Sequence, residues 1–191
     1  MDLHGLAKEG DSKAISKLLD CGDLAKARTM ASMKDSLSRT PLHLAAFFGH
    51  TDSVSVLLEY SEVDSVASDG FTALHFAAQR GHVEVVRRLM MTANVNRKTF
   101  KSLTPLHLAC QKSSPGSGHE AVICELLNKR ADASVTTRKG ETALELVSDP
   151  DLRGRVTMFL AEVTQRGKRS RPSIPVDPDY PSKHRPAEFN S

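Results

Sequence analysis

The sequence predicts an all-α solenoid of about five stacked helix-turn-helix units with projecting turns, followed by a disordered tail. Three observations carry this. A phrase recurs nearly unchanged: TPLHLAAFFGH over residues 40–50, TALHFAAQRGH over 72–82 and TPLHLACQK from Thr104. Its copies begin at Thr40, Thr72, Thr104 and Thr142, at spacings of 32, 32 and 38 residues. A period of this size marks a chain built from one repeated supersecondary unit. From Arg166 onward the chain has five prolines and almost no aliphatic residues, too little apolar surface to order itself.

The units follow in order. Residues 1–39 hold a degenerate copy in which Leu3, His4, Ala7 and Gly10 match Leu42, His43, Ala46 and Gly49. It lacks Thr-Pro and carries about six extra residues in AKARTMASMKDS, so it is expected to be an N-terminal cap with a long first loop. In residues 40–71, Pro41 suits a first helical turn and Gly49 a helix end. Val54, Leu57 and Leu58 then recur at helical spacing, and Asp69-Gly70 reads as a tight turn. Residues 72–103 repeat the pattern with Val85, Val86, Leu89 and Met90. Residues 104–141 carry the insertion SSPGS at 113–117, tolerable because loop-closure entropy grows slowly with length. Residues 142–165 read TALELV and then DPDLRGRV, with Glu145 at the histidine position, and are expected to cap the stack. Residues 166–191 form the tail. Helices this short are marginal alone in water, so each must bury its apolar face on the next unit.

The phrases TPLH and LAA, the GH opening each second helix, and the linker NVN at 94–96 resemble the ankyrin repeat across about residues 1–163. The resemblance implies a curved stack of helix pairs with turns along one edge. It implies a non-enzymatic protein-protein interaction module, such as an adaptor, assembly chaperone or inhibitor, binding through its concave surface and turn tips. No cofactor or metal is implied, and the chain is expected to be monomeric by itself. In the family the histidine of TPLH braces the turn, and His4, His43, His75 and His107 fall in that register. Units stacked about 10 Å apart cannot share a zinc ion whose nitrogens must lie at about 2 Å, so this ladder is read as structural. His50, His82 and His119, opening second helices, are read the same way, and Asn96 as a structural linker residue.

The family's partner-facing positions can be transferred residue by residue. The first tip and helix give Leu37, Arg39, Phe47 and Phe48. The second give Ser68, Asp69, Phe71, Gln79 and Arg80. The third give Phe100, Lys101, Leu103, Gln111 and Lys112, and the last tip gives Arg138, Lys139 and Glu141. Four of the chain's seven phenylalanines fall at these positions. With Leu37 and Leu103 they predict an apolar stripe, the kind of patch that marks a binding surface. The turn row also carries Lys34, Arg39, Arg97, Lys98, Lys101, Arg138 and Lys139 against Asp35, Asp69 and Glu141. The expected partner is therefore another protein with acidic and apolar segments.

Other functions find less support. No phosphate-binding glycine loop, HExxH or GxSxG motif is present, and Glu84 and Glu120 sit at second-helix starts, where the helix dipole favours them. The chain is read as not an enzyme. No apolar run approaches the roughly 20 residues that span a bilayer, and the charged N-terminus does not resemble a signal peptide. Cys21, Cys110 and Cys124, odd in number and widely spaced, fit a reducing compartment, the cytoplasm and also the nucleus. Cys110 and Cys124 lie among apolar residues and are expected to be buried. The net charge of +3 resides in the tail, where six basic residues meet three acidic ones, leaving a neutral body. Nucleic acid is not the expected partner. The cluster RGKRSR could serve nuclear import or a second contact, and Arg169, Pro172 and Pro175 have the spacing of a proline-helix ligand.

Overall fold

The computed structural model describes residues 2–20, 22–113 and 117–169. Among them lie ten α-helices: α1 (Leu3–Glu9), α2 (Ser12–Leu19), α3 (Leu24–Ser32), α4 (Pro41–Phe48), α5 (Thr51–Leu58), α6 (Ala73–Arg80), α7 (Val83–Leu89), α8 (Pro105–Lys112), α9 (His119–Asn128) and α10 (Pro150–Arg169). A 3-10 turn, Leu144–Leu146, separates α9 from α10. Among the described residues the β-type pairing is one isolated bridge between Thr136 and Thr142.

The helices form two layers. α1, α4, α6, α8 and the 3-10 turn stack in one, and α2, α5, α7, α9 and α10 in the other. The core runs unbroken between them, with Ile15, Leu42, Leu57, Leu74, Leu106 and Ile123 buried. Small residues let the first helices stack closely: Ala45, Ala46, Ala77, Ala78, Ala109 and Cys110 are all fully buried. That is the physical content of LAA.

TPLH builds a brace. Thr40 N–H donates to His43 Nδ1 at 3.0 Å, so that nitrogen is an acceptor. The ring proton is then on Nε2, which donates to the carbonyls of Ser65 at 3.0 Å and Phe71 at 3.2 Å. His75 repeats this with Thr72 and the Leu103 carbonyl. His107 bonds Thr104 in the same way, and its Nε2 faces the Val135 and Glu141 carbonyls without reaching hydrogen-bond geometry. His43 and His75 thus tie their own helix starts to the hairpin of the next unit. Burial pushes His43 and His75 down to about 4.

GH builds a second brace. His50, His82 and His119 each place Nε2 on a carbonyl near the end of the preceding unit's first helix: Lys8 at 2.9 Å, Phe47 at 3.1 Å and Gln79 at 3.0 Å. Those carbonyls lack partners within their own helix. Gly49 makes room for this contact. Its φ is +84°, and a Cβ there would lie 2.8 Å from the His82 ring.

The linkers are spaced by a third repeat of polar contacts. Asp64 Oδ1 accepts from Asn94 N–H at 3.1 Å, and Asn96 Oδ1 from Asp132 N–H at 2.8 Å, a structural role for Asn96. The edge turns share one geometry. In the second, Gly70 N–H donates to the Ala67 carbonyl and Ala67 N–H to the Phe71 carbonyl, a tight turn closed by a residue in the left-handed region. That residue is Gly70 (φ +82°) here, but Ser38 (φ +57°) and Ser102 (φ +61°) in the turns on either side.

Three expectations are corrected. The long first loop contains a helix, α3, because Asp23 Oδ1 accepts from Ala25 and Lys26 N–H and Ala27 and Ala31 bury one face. The first helix of the fifth unit is cut to a 3-10 turn, since Pro150 begins the next helix and forces the chain out before it. The tail boundary at Arg166 falls inside α10, which continues to Arg169 because the first proline comes only at Pro172. Cys21, most of the insertion and the proline motif lie outside the described residues. Cys110 is buried as expected, whereas Cys124 is half-buried at the outer surface of α9.

Candidate functional site

The turns and the exposed side of the first helices form a single hollowed face. Two depressions lie along it. The smaller, about 270 Å³, is lined by Leu37, Arg39, Ala67, Ser68, Asp69 and Phe76. The larger, about 630 Å³, is walled by the tip residues Asp69, Phe71, Lys101, Leu103, Thr137, Arg138, Lys139 and Glu141. Gln79, Leu108, Gln111, Lys112 and Leu146 complete it from the first-helix layer. Ten of the seventeen residues expected to meet a partner thus converge on one groove, and Leu37, Arg39 and Ser68 on its neighbour.

The apolar stripe is divided. Phe71 and Phe76 pack with ring centroids 5.1 Å apart, Phe76 and Phe47 at 5.8 Å, and Phe47 and Phe48 at 5.1 Å. The resulting row crosses units two and three, with the Arg80 guanidinium 4.2 Å from the Phe47 ring centre. Phe48 is exposed at its end. Phe100 does not join. Its amide donates to the Asp69 carbonyl at 3.3 Å, its ring covers Gly70, and it remains 60% exposed. Leu103 lines the larger depression instead. Phe76, which joins Phe71 to Phe47, is a residue that the sequence reading did not single out. Its signal is LHF where the other copies read LHL, with Leu44 and Leu108 buried.

The electrostatics differ between the depressions. Arg39 is neutralised by Asp35, with Nε to Oδ2 at 2.9 Å and a second guanidinium contact at 2.7 Å. Burial alone would raise the Asp35 carboxyl, but these bonds and the Arg39 and Leu37 amides hold it below the usual carboxylate range. Lys34 reaches the Val66 carbonyl at 3.3 Å. Among the described residues no ion pair engages Lys101, Lys112, Arg138 or Lys139. In the opposite layer Arg87 pairs with Glu84 and Glu125, and Arg155 with Glu120.

Among the described residues no group of three or more His, Cys, Asp or Glu is placed to hold a metal ion, and no helix is long and apolar enough to cross a membrane. The Cys110 thiol is pushed up to about 12 by burial.

A stack of helix pairs whose turns share one hollow face defines a repeat-built binding scaffold. The comparison with protein families specifies it. The family model described as ankyrin repeats in three copies matches residues 3–99, and a single ankyrin repeat matches 102–138. The chain belongs to the ankyrin-repeat family, whose repeats are in general protein-protein interaction modules. No curated protein matches it.

Proposed function

We propose that this chain is a non-enzymatic adaptor, assembly chaperone or inhibitor that holds a partner protein against its turn tips and first helices. The observation that carries this reading is the hollow face itself. It combines an aromatic row, exposed Leu37 and Phe48, and four cations that no ion pair engages among the described residues, beside an apolar floor. The mechanism is rigid presentation: a preformed stack loses little ordering entropy on binding, and tip residues set the choice of partner. The partner is a protein with acidic and apolar segments. The chain works as a monomer in the cytoplasm, and also in the nucleus.

The test is affinity capture from lysate by wild type and by a Leu37→Ser, Phe48→Ser, Phe100→Ser variant. These three side chains are the most exposed apolar ones on the face, so the fold, checked by circular dichroism, is retained. A partner held by wild type and released by the variant supports the reading. Equal recovery contradicts it.

A second reading, a nuclear regulator with a tail-borne import signal or second contact, rests on the basic run Arg166, Lys168, Arg169 and Arg171. Deletion of residues 166–191, which removes all four basic residues, would then change localisation or partner recovery, and no change in either would end it.

A further inference from the structure

We propose that the segment bound on this face is extended and bipartite: one apolar residue seats in the smaller depression, and an acidic run about six residues away lies along the larger. The proposal rests on the protein-binding reading above and specifies its ligand.

The two depressions select opposite chemistries. In the smaller, Leu37, Ala67 and Phe76 provide apolar walls. Its one lining cation, Arg39, is already neutralised by Asp35, and Asp69 repels a second carboxylate. At about 270 Å³, it suits a single apolar side chain. The larger gathers Lys101, Lys112, Arg138 and Lys139 against only Asp69 and Glu141. None of these four is engaged in an ion pair among the described residues, so each repels the others until an anion arrives. A cleft lined by one sign of charge concentrates ligands of the other.

The floor of the larger groove indicates what carries the anions. Leu103, Leu108 and Leu146 are aliphatic. Single-stranded nucleic acid is held chiefly by aromatic platforms that stack bases. Phe71, the groove's one aromatic ring, is half-buried and packed on Phe76 and His75. Aliphatic floor plus cationic rim fits a protein segment with carboxylates.

The register follows from the repeat. The smaller depression lies between the first two tips, and the tip cations lie on the third and fourth. Units stack about 10 Å apart, so two steps span about 20 Å, or about six residues of extended chain at roughly 3.3 Å each. The tips do not offer a free edge for strand addition where they adjoin. The carbonyls of Leu37 and Asp69 already accept from the amides of Ser68 and Phe100. Recognition therefore runs through side chains.

Fluorescence anisotropy with the full chain tests this. The probe is a fluorescein-labelled glycine-serine peptide carrying one phenylalanine and, about six residues on, four consecutive glutamates. The control places the phenylalanine next to the glutamates. The spaced peptide should bind roughly tenfold more tightly, the contribution of one seated apolar anchor. Leu37→Ser should remove that advantage. Lys101→Glu with Arg138→Glu should abolish binding of both peptides, and Lys112→Glu with Lys139→Glu should do the same by other residues. All five positions are exposed, so the folds should survive, as circular dichroism would verify. Equal affinity for the two peptides, or unchanged binding by both charge-reversal variants, overturns the proposal. So does displacement of the peptide by an equally charged single-stranded oligonucleotide at equal concentration. Failure here, while lysate capture still depends on Leu37, Phe48 and Phe100, overturns the segment chemistry alone. Failure of both overturns the binding reading itself.

Discussion

His43 and His75 show how one residue can hold a repeat in register. Each accepts a threonine amide on Nδ1 and donates from Nε2 to the hairpin of the following unit. Protonating Nδ1 would set two N–H groups against each other inside the stack. Burial lowers both groups to about 4, against about 6.5 in an unfolded chain. Between those values the unfolded chain binds more protons than the folded one, so stability falls as pH falls through the window. At pH 5 the loss is roughly 2 kcal/mol per histidine, and urea denaturation at pH 7.5 and pH 5 would show it as a lower midpoint. Cys110 offers a parallel expectation. Fully buried, with its thiol raised to about 12, it should resist a thiol-specific reagent in the native protein and react on unfolding. A Cys110→Ala variant assigns the signal. The histidine ladder and the burial of Cys110 were legible in the sequence because register alone places them. Phe76 was not, because a phenylalanine at a position otherwise filled by leucine reads as core until its neighbours' rings are in place.

At the scale of the element, backbone geometry decides where the repeat tolerates change. A Gly49→Ala substitution places a Cβ at φ +84° and 2.8 Å from the His82 ring. It should cost about 2 kcal/mol or more, since the left-handed conformation alone costs roughly 1–2 kcal/mol. The converse applies at Ser38 and Ser102, which hold φ of +57° and +61° where other tips use glycine. Ser38→Gly and Ser102→Gly should each raise stability, by up to about 1 kcal/mol, read as a higher thermal midpoint. The helix pairs of the middle units were legible because their phrase is nearly invariant. Helix α3 was not, because its buried face is only Ala27 and Ala31, and two alanines leave little trace in a pattern of apolar spacing. The shortened first helix of the last unit had a visible cause, Pro150, whose effect depends on where the next helix begins.

For the whole molecule, the two faces differ in how their charges are used. Arg87 ties α7 to Glu125 of α9 and also pairs with Glu84 on its own helix, and Arg155 ties α10 to Glu120 of α9. On the opposite face four cations surround an apolar groove without such partners among the described residues. The sequence revealed that basic residues cluster in the turns, but not which of them are already neutralised. Arg39 and Arg138 look alike in the chain, and only the fold pairs the first with Asp35. The sequence likewise supplied Leu37, Phe47, Phe48, Phe71, Phe100 and Leu103 without their division into an aromatic row, an isolated Phe100 and two depressions, because that division depends on how adjacent tips hydrogen-bond. The central claim is that function resides on this hollow face. Hydrogen exchange of the chain, free and bound to its captured partner, tests it most directly. The account predicts slowed exchange in the tips at 97–103 and 137–141 and in α6 and α8, with α5, α7 and α9 unchanged. Protection confined to α5, α7 and α9 would contradict it.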